Sequence, residues 1–243
     1  MRLAAEGPET LEFLLSFVFW PEINIVLLTP DPTVIMKQSL FLILSLSCLS
    51  ATCQKNTSEE DVHASLVQGK QKSLIAYAGK EHSFTMEISA ATVKPSDIPG
   101  FININKQIVQ STLVPVAKDV DLHSLTTARE KEVLTKYMNY ELGYYKKKLK
   151  QEYSHLETEW ITIHDRLFLL WYFDMPKNYK LVNRQIYLST IFFDQVMDLN
   201  APVFKLDDFG KARGIVLKLA NTLQVYNQHI DLGALSKQLN KGK

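Results

Sequence analysis

The run Leu167-Phe-Leu-Leu-Trp-Tyr-Phe173 is apolar or aromatic at every position. Strand periodicity puts Leu167, Leu169, Trp171 and Phe173 on one face and Phe168, Leu170 and Tyr172 on the other. A strand that is greasy on both faces must be central and covered from two sides. The chain therefore has to build a layer above this strand and a layer below it. Gln185–Val196 repeats the pattern, with Ile186, Leu188 and Phe192 opposite Tyr187, Ile191 and Phe193. Glu157–His164 supplies a neighbour, joined to the first run through the polar turn His164-Asp165-Arg166.

Two helices are expected to cover this sheet. Thr127-Ala-Arg-Glu130 has the spacing of a capping box. Leu134, Met138, Leu142, Tyr145 and Leu149 then recur at steps of three or four, an apolar stripe opposite Lys131, Glu132, Lys136, Lys146, Lys147 and Lys150. A second helix opens near Asp207-Asp208 and buries Phe209, Ala212, Val216, Leu219, Ala220 and Leu223. Earlier in the chain Phe84, Met86 and Ile88 alternate with polar residues as a half-buried strand, and 101–104 and 108–116 are short and β-rich. Asn200-Ala-Pro202 is expected to break the last strand. The order β-β-(β)-α-β-β-β-α predicts an α+β fold: one mostly antiparallel sheet packed with two long amphipathic helices, an α/β/α-like sandwich.

Residues 36–53 read as an export signal. Lys37 precedes the uncharged, apolar or small run Leu40–Leu49 and then Ser50-Ala51-Thr52-Cys53. About ten such residues are too few for a mature membrane helix and match the core of a signal peptide. The pattern starts at Met36, so residues 1–35 read as an over-extended N-terminus; the rival reading is a membrane hairpin of 11–28 and 38–52, which Pro21, Glu22, Pro30, Asp31 and Pro32 interrupt. Two processing routes stay open. One is cleavage before Gln54; the other is lipidation at Cys53, whose box lacks the usual Leu and the usual Gly or Ala. Residues 54–72, with the sequon Asn56-Thr57-Ser58, read as a polar tether, 73–232 as a single α+β domain and 233–243 as a flexible tail. Cys48 and Cys53 are the two cysteines of the chain, so nothing after residue 53 can form a disulfide, a thiolate zinc site or a thiol nucleophile.

The helix at 127–150, the paired strands over 157–175, the strand 185–196 and the closing segment "NAPVFKLDDFGKARGIVLKLANTLQVY" together resemble the PsbP-like domains over about 84–227. The likeness is one of topology, without a diagnostic motif. It implies a non-enzymatic binding or assembly protein, and it carries over no functional residue.

With 46% hydrophobic and 22% charged residues and a net charge of +1, the composition is that of a globular protein. It lacks the concentrated basic footprint of a nucleic-acid binder. GxGxxG, GxxxxGK[ST], HExxH and GxSxG are all absent from the sequence, so no catalytic, cofactor or metal residue is assigned. His164 and Asp165 are chain neighbours in a turn rather than a couple, and Glu157 and Glu159 share the face of a solvated strand end. Trp160, Trp171 and Tyr172 read as core. Tyr144 with Lys146, Lys147, Lys148 and Lys150 marks a surface able to meet a protein partner or an anionic membrane surface. The expectation is an exported protein, periplasmic, secreted or anchored by lipid at Cys53, acting as a non-enzymatic binding or assembly module of the cell envelope. The alternative is a small-ligand-binding protein or envelope hydrolase.

Overall fold

The structure, a computed structural model, describes residues 63–97, 100–116, 125–149, 153–177, 179 and 181–241. The proposed signal and Cys53 lie outside them, as does Lys150. Among the described residues, eleven strands form two antiparallel sheets. The smaller has the order β1 (His63–Gln68), β2 (Ser73–Ala78), β3 (Ser83–Ile88) and β11 (Gln224–Tyr226). The larger runs β4 (Val93–Pro95), β5 (Phe101–Ile104), β6 (Gln107–Pro115), β10 (Gln195–Phe204), β9 (Val182–Phe192), β8 (Arg166–Asp174) and β7 (Ser154–Ile163). The helices are α1 (Thr127–Leu149), α2 (Phe209–Asn221) and α3 (Leu232–Asn240).

This overturns the expected fold class. The chain is predominantly antiparallel β, and a second sheet takes the place of one covering layer. The doubly apolar strands do need two covers, but periodicity cannot say whether a cover is helix or sheet. One face of the large sheet meets α1, through Leu134, Met138, Leu142 and Tyr145 packed on Leu169, Trp171, Phe173, Tyr187 and Ile191. The opposite face meets the small sheet and α2 together, in a core containing Ile75, Phe84, Met86, Phe168, Leu170, Ile186, Leu188, Met197, Leu199, Val216 and Leu219. Tyr77 ties the two sheets, stacking on Phe84 at 4.4 Å and donating its hydroxyl to the carbonyl of Ser111 at 2.7 Å.

Four local expectations are corrected as well. Gln185–Val196 is not one strand but the hairpin of β9 and β10, turned at Phe193 and Asp194 with Phe193 at φ 50. Pro202 does not end β10: the ladder to β6 stops at Asn200↔Gln110, so no partner strand asks for the missing N–H, and the Pro202 carbonyl accepts from Gln107 Nε2 at 2.7 Å. The cap of α1 is Thr126 rather than Thr127, its hydroxyl accepting from the Arg129 N–H at 3.3 Å. Residues 63–68, read as tether, form β1, and most of the expected tail forms α3. In both, short polar segments gain order from a shared apolar contact of Val67, Leu74 and Ala76 with Ile230, Leu232, Leu235 and Leu239.

The start of the second helix agrees with its reading. Asp208 caps α2 by accepting from Gly210 N–H at 2.7 Å, and Ala212, Val216, Leu219 and Ala220 are its buried stripe. The turn between β7 and β8 is tight, with His164 at φ 48 and Asp165 at φ 61, the pairing of a type I′ hairpin. Among the described residues no helix is long and apolar enough to cross a membrane.

Candidate functional site

Alternation along β6, β8, β9 and β10 directs a set of polar side chains into the layer beneath α1. From β9 come Gln185, Tyr187 and Ser189; from β10, Asp198 and Asn200; from β6, Gln110; from β8, Trp171. Registers Asp198↔Ser189 and Asn200↔Tyr187 place them as cross-strand neighbours. Ser189 Oγ donates to Asp198 Oδ1 at 2.5 Å and accepts from Trp171 Nε1 at 3.1 Å. Asn200 Nδ2 donates to Gln110 Oε1 at 2.8 Å. From the helix, Tyr145 meets Tyr187, hydroxyl to hydroxyl, at 2.7 Å. Trp171 stacks flat on Tyr187 at 3.9 Å.

Burial governs the electrostatics here. Asp198, 1% exposed, is stripped of water and its carboxyl is pushed far up, a rise that Ser189's donation opposes and the nearby Glu141 adds to. Burial raises Glu141 on α1 to about 7. It also holds the hydroxyls of Tyr137, Tyr145 and Tyr187 protonated well past their ordinary value. What the cluster can do is donate and accept hydrogen bonds. Gln185 is 0% exposed, and both its amide atoms lack a hydrogen-bond partner among the described residues, as does Asn200 Oδ1. Two more such atoms, on Ser65 and Ser111, lie elsewhere.

The sequence reading did not assemble this cluster. Its signal is polar residues at even spacing inside apolar strands, 185 with 189 and 198 with 200, which the alternation of the surrounding core partly hides.

Tyr144, Lys146 and Lys147, singled out from the sequence, fall on the surface. Tyr144 is 36% exposed on the outer side of α1, and Lys146 and Lys147 are exposed beside it; the side chain of Lys148 lies outside the described part. Helical spacing adds Tyr140, 58% exposed, and Lys136 to the same ridge. Glu157 and Glu159 do share a face, but each is engaged: Glu157 accepts from Tyr172 OH at 2.6 Å, and Glu159 pairs with Arg213 of α2 at 2.8 Å. His164 is not coupled to Asp165; its Nε2 lies 2.9 Å from the Asn221 carbonyl. Trp171 is fully buried, while Trp160 and Tyr172 are half-buried, Trp160 under Lys131 at 5.3 Å and Tyr172 against Phe209 at 4.8 Å. Among the described residues no group of three His, Cys, Asp or Glu is arranged to hold a metal.

These elements define a layered, mostly antiparallel β fold with one long covering helix. The solution structure of cyanobacterial PsbP (CyanoP) from Synechocystis sp. PCC 6803 is similar to it, with a TM-score of 0.39 at 10% sequence identity over 59% of this chain and 86% of that one. No family model and no curated protein matches the sequence.

Proposed function

We propose that this protein is an exported, non-enzymatic binding or assembly module of the cell envelope, which meets an anionic envelope surface with the outer ridge of α1. The observation that carries the reading is the exposure of Tyr140 and Tyr144, one helical turn apart, alongside Lys136 and Lys147, with Lys146 exposed on another flank of the helix. Tyrosines at such a boundary offer an apolar body and a wet hydroxyl, and each lysine adds about 1 kcal/mol near an anionic leaflet. Export rests on the 36–53 signal pattern. Fractionation of the native product with intact mass determines the start site, the cleavage and any lipid at Cys53. Recovery of an unprocessed chain from the cytosol removes the export reading. For the ridge, the measurement is sedimentation with vesicles of neutral or anionic composition. Lys147→Glu with Tyr140→Ala is expected to weaken anionic-vesicle binding about tenfold. Equal binding by the two proteins sinks the ridge.

A second reading is favoured by Gln185 and Asn200. Their orphaned, buried amide atoms lie on the same face of β9 and β10 as Asp198, polar groups of the kind that line a small-ligand site. A thermal-shift screen with small polar compounds tests it, the expected sign being a shift that Gln185→Leu abolishes.

A further inference from the structure

Strand β7 leaves an open edge along the large sheet. Among the described residues its one ladder partner is β8. The other edges are short or flanked: β4 and β11 have three residues each, β4 including Pro95, and α3 lies against β1, where Asn240 donates to the Gln68 carbonyl at 3.1 Å. β7 has ten residues, none of them Lys, Arg or Pro, and its first six positions are exposed, Leu156 at 37%. An irregularity between Ser154 and Glu157, with His155 at φ 51, interrupts its start, but Glu157–Ile163 is a continuous edge without Lys, Arg or Pro, a template for another strand.

The side chains select the occupant. Glu157, Glu159, Ile161 and Ile163 point to the face shared with α2 and the small sheet; Thr158, Trp160 and Thr162 point to the α1 face, as their registers with β8 require. A second copy can add antiparallel about a two-fold axis through Trp160. That register sets Glu157 opposite Ile163, Thr158 opposite Thr162, Glu159 opposite Ile161 and Trp160 opposite its own mate. No carboxylates face each other. Moving the axis to Thr158 opposes Glu157 to Glu159, and moving it to Glu159 opposes that residue to itself, both costly. We propose that this chain forms a two-fold dimer by antiparallel pairing of β7 with β7 of a second copy, centred on Trp160, which joins the two large sheets into one. The proposal does not depend on the α1 ridge. Seven paired residues a side is the low end of specific interfaces, about 1,000 Å², so the dimer forms reversibly, half-assembled on the order of 10 µM.

Sedimentation velocity on the full chain across a concentration series tests it. A monomer–dimer equilibrium is expected, weakened at least tenfold by Thr158→Lys with Thr162→Lys, which sets lysine against lysine at both ends. Both residues are exposed, so circular dichroism should be unchanged. Should that variant misfold, cysteine pairing reads the register instead. In a Cys48→Ser, Cys53→Ser background, Thr158→Cys mixed with Thr162→Cys is expected to cross-link, and either alone is not. A chain that stays monomeric to about 100 µM overturns the proposal. So does a dimer indifferent to the lysines, or cross-linking by a single variant as strong as by the mixture.

Discussion

Glu141 and Ser189 show how much of the α1 layer depends on single side chains. The folded chain holds the Glu141 proton up to about pH 7, whereas the unfolded chain releases it near the ordinary 4.5. The folded state therefore binds more protons between those values, and stability falls as pH rises through that window. Asp198 shifts in the same direction. Glu141→Gln should remove its share, so the variant is expected to gain stability over the parent at pH 8, on the order of 1 kcal/mol, and to gain nothing at pH 4. Urea melts at the two pH values measure this, and an equal effect at both contradicts it. Ser189 is the hinge of the Trp171–Ser189–Asp198 chain. Ser189→Ala strands an indole N–H and a carboxyl in a dry layer and should cost about 1–3 kcal/mol. Asp198→Asn keeps an acceptor for the serine and should cost less. A reversed order of the two would show that Ser189 is not the shared partner.

At the scale of elements, α2 and α3 each have a weak point. The Asp208 cap is local, and Asp208→Ala should lower stability by about 1 kcal/mol in chemical denaturation. For α3 the constraint is space. A Cβ on Gly69 would stand 2.7 Å from Leu239 Cβ and 2.8 Å from the Lys72 carbonyl oxygen. Both are shorter than carbon and oxygen tolerate, so Gly69→Ala is expected to push α3 off β1 and β2. Hydrogen exchange should then rise across 232–240 and leave β8 and β9 unchanged. Unaltered protection of α3 would show that the β1–β2 turn yields instead.

For the whole molecule, the two sheets and α2 share one core, so neither sheet has an interior of its own. Far-UV circular dichroism and tryptophan fluorescence should therefore trace a single coincident unfolding transition, and two separated midpoints would refute a shared interior. The sequence by itself determined that β8 and β9 are central, because apolar residues on both faces leave no solvated side. It also determined the buried stripes of α1 and α2, because 3.6-residue spacing is a local property. The tertiary structure decided the rest. The small sheet needs β11 from the far end of the chain beside β3, a pairing no local window contains. Pro202 stays in a strand because the ladder between β10 and β6 ends before it, a fact about a neighbour ninety-odd positions away. Asn200 meets Gln110, Asp198 meets Ser189 and Tyr187 meets Tyr145 because β6, β9, β10 and α1 converge there. Residue spacing encodes which face a side chain takes, whereas what lies against that face depends on distant chain.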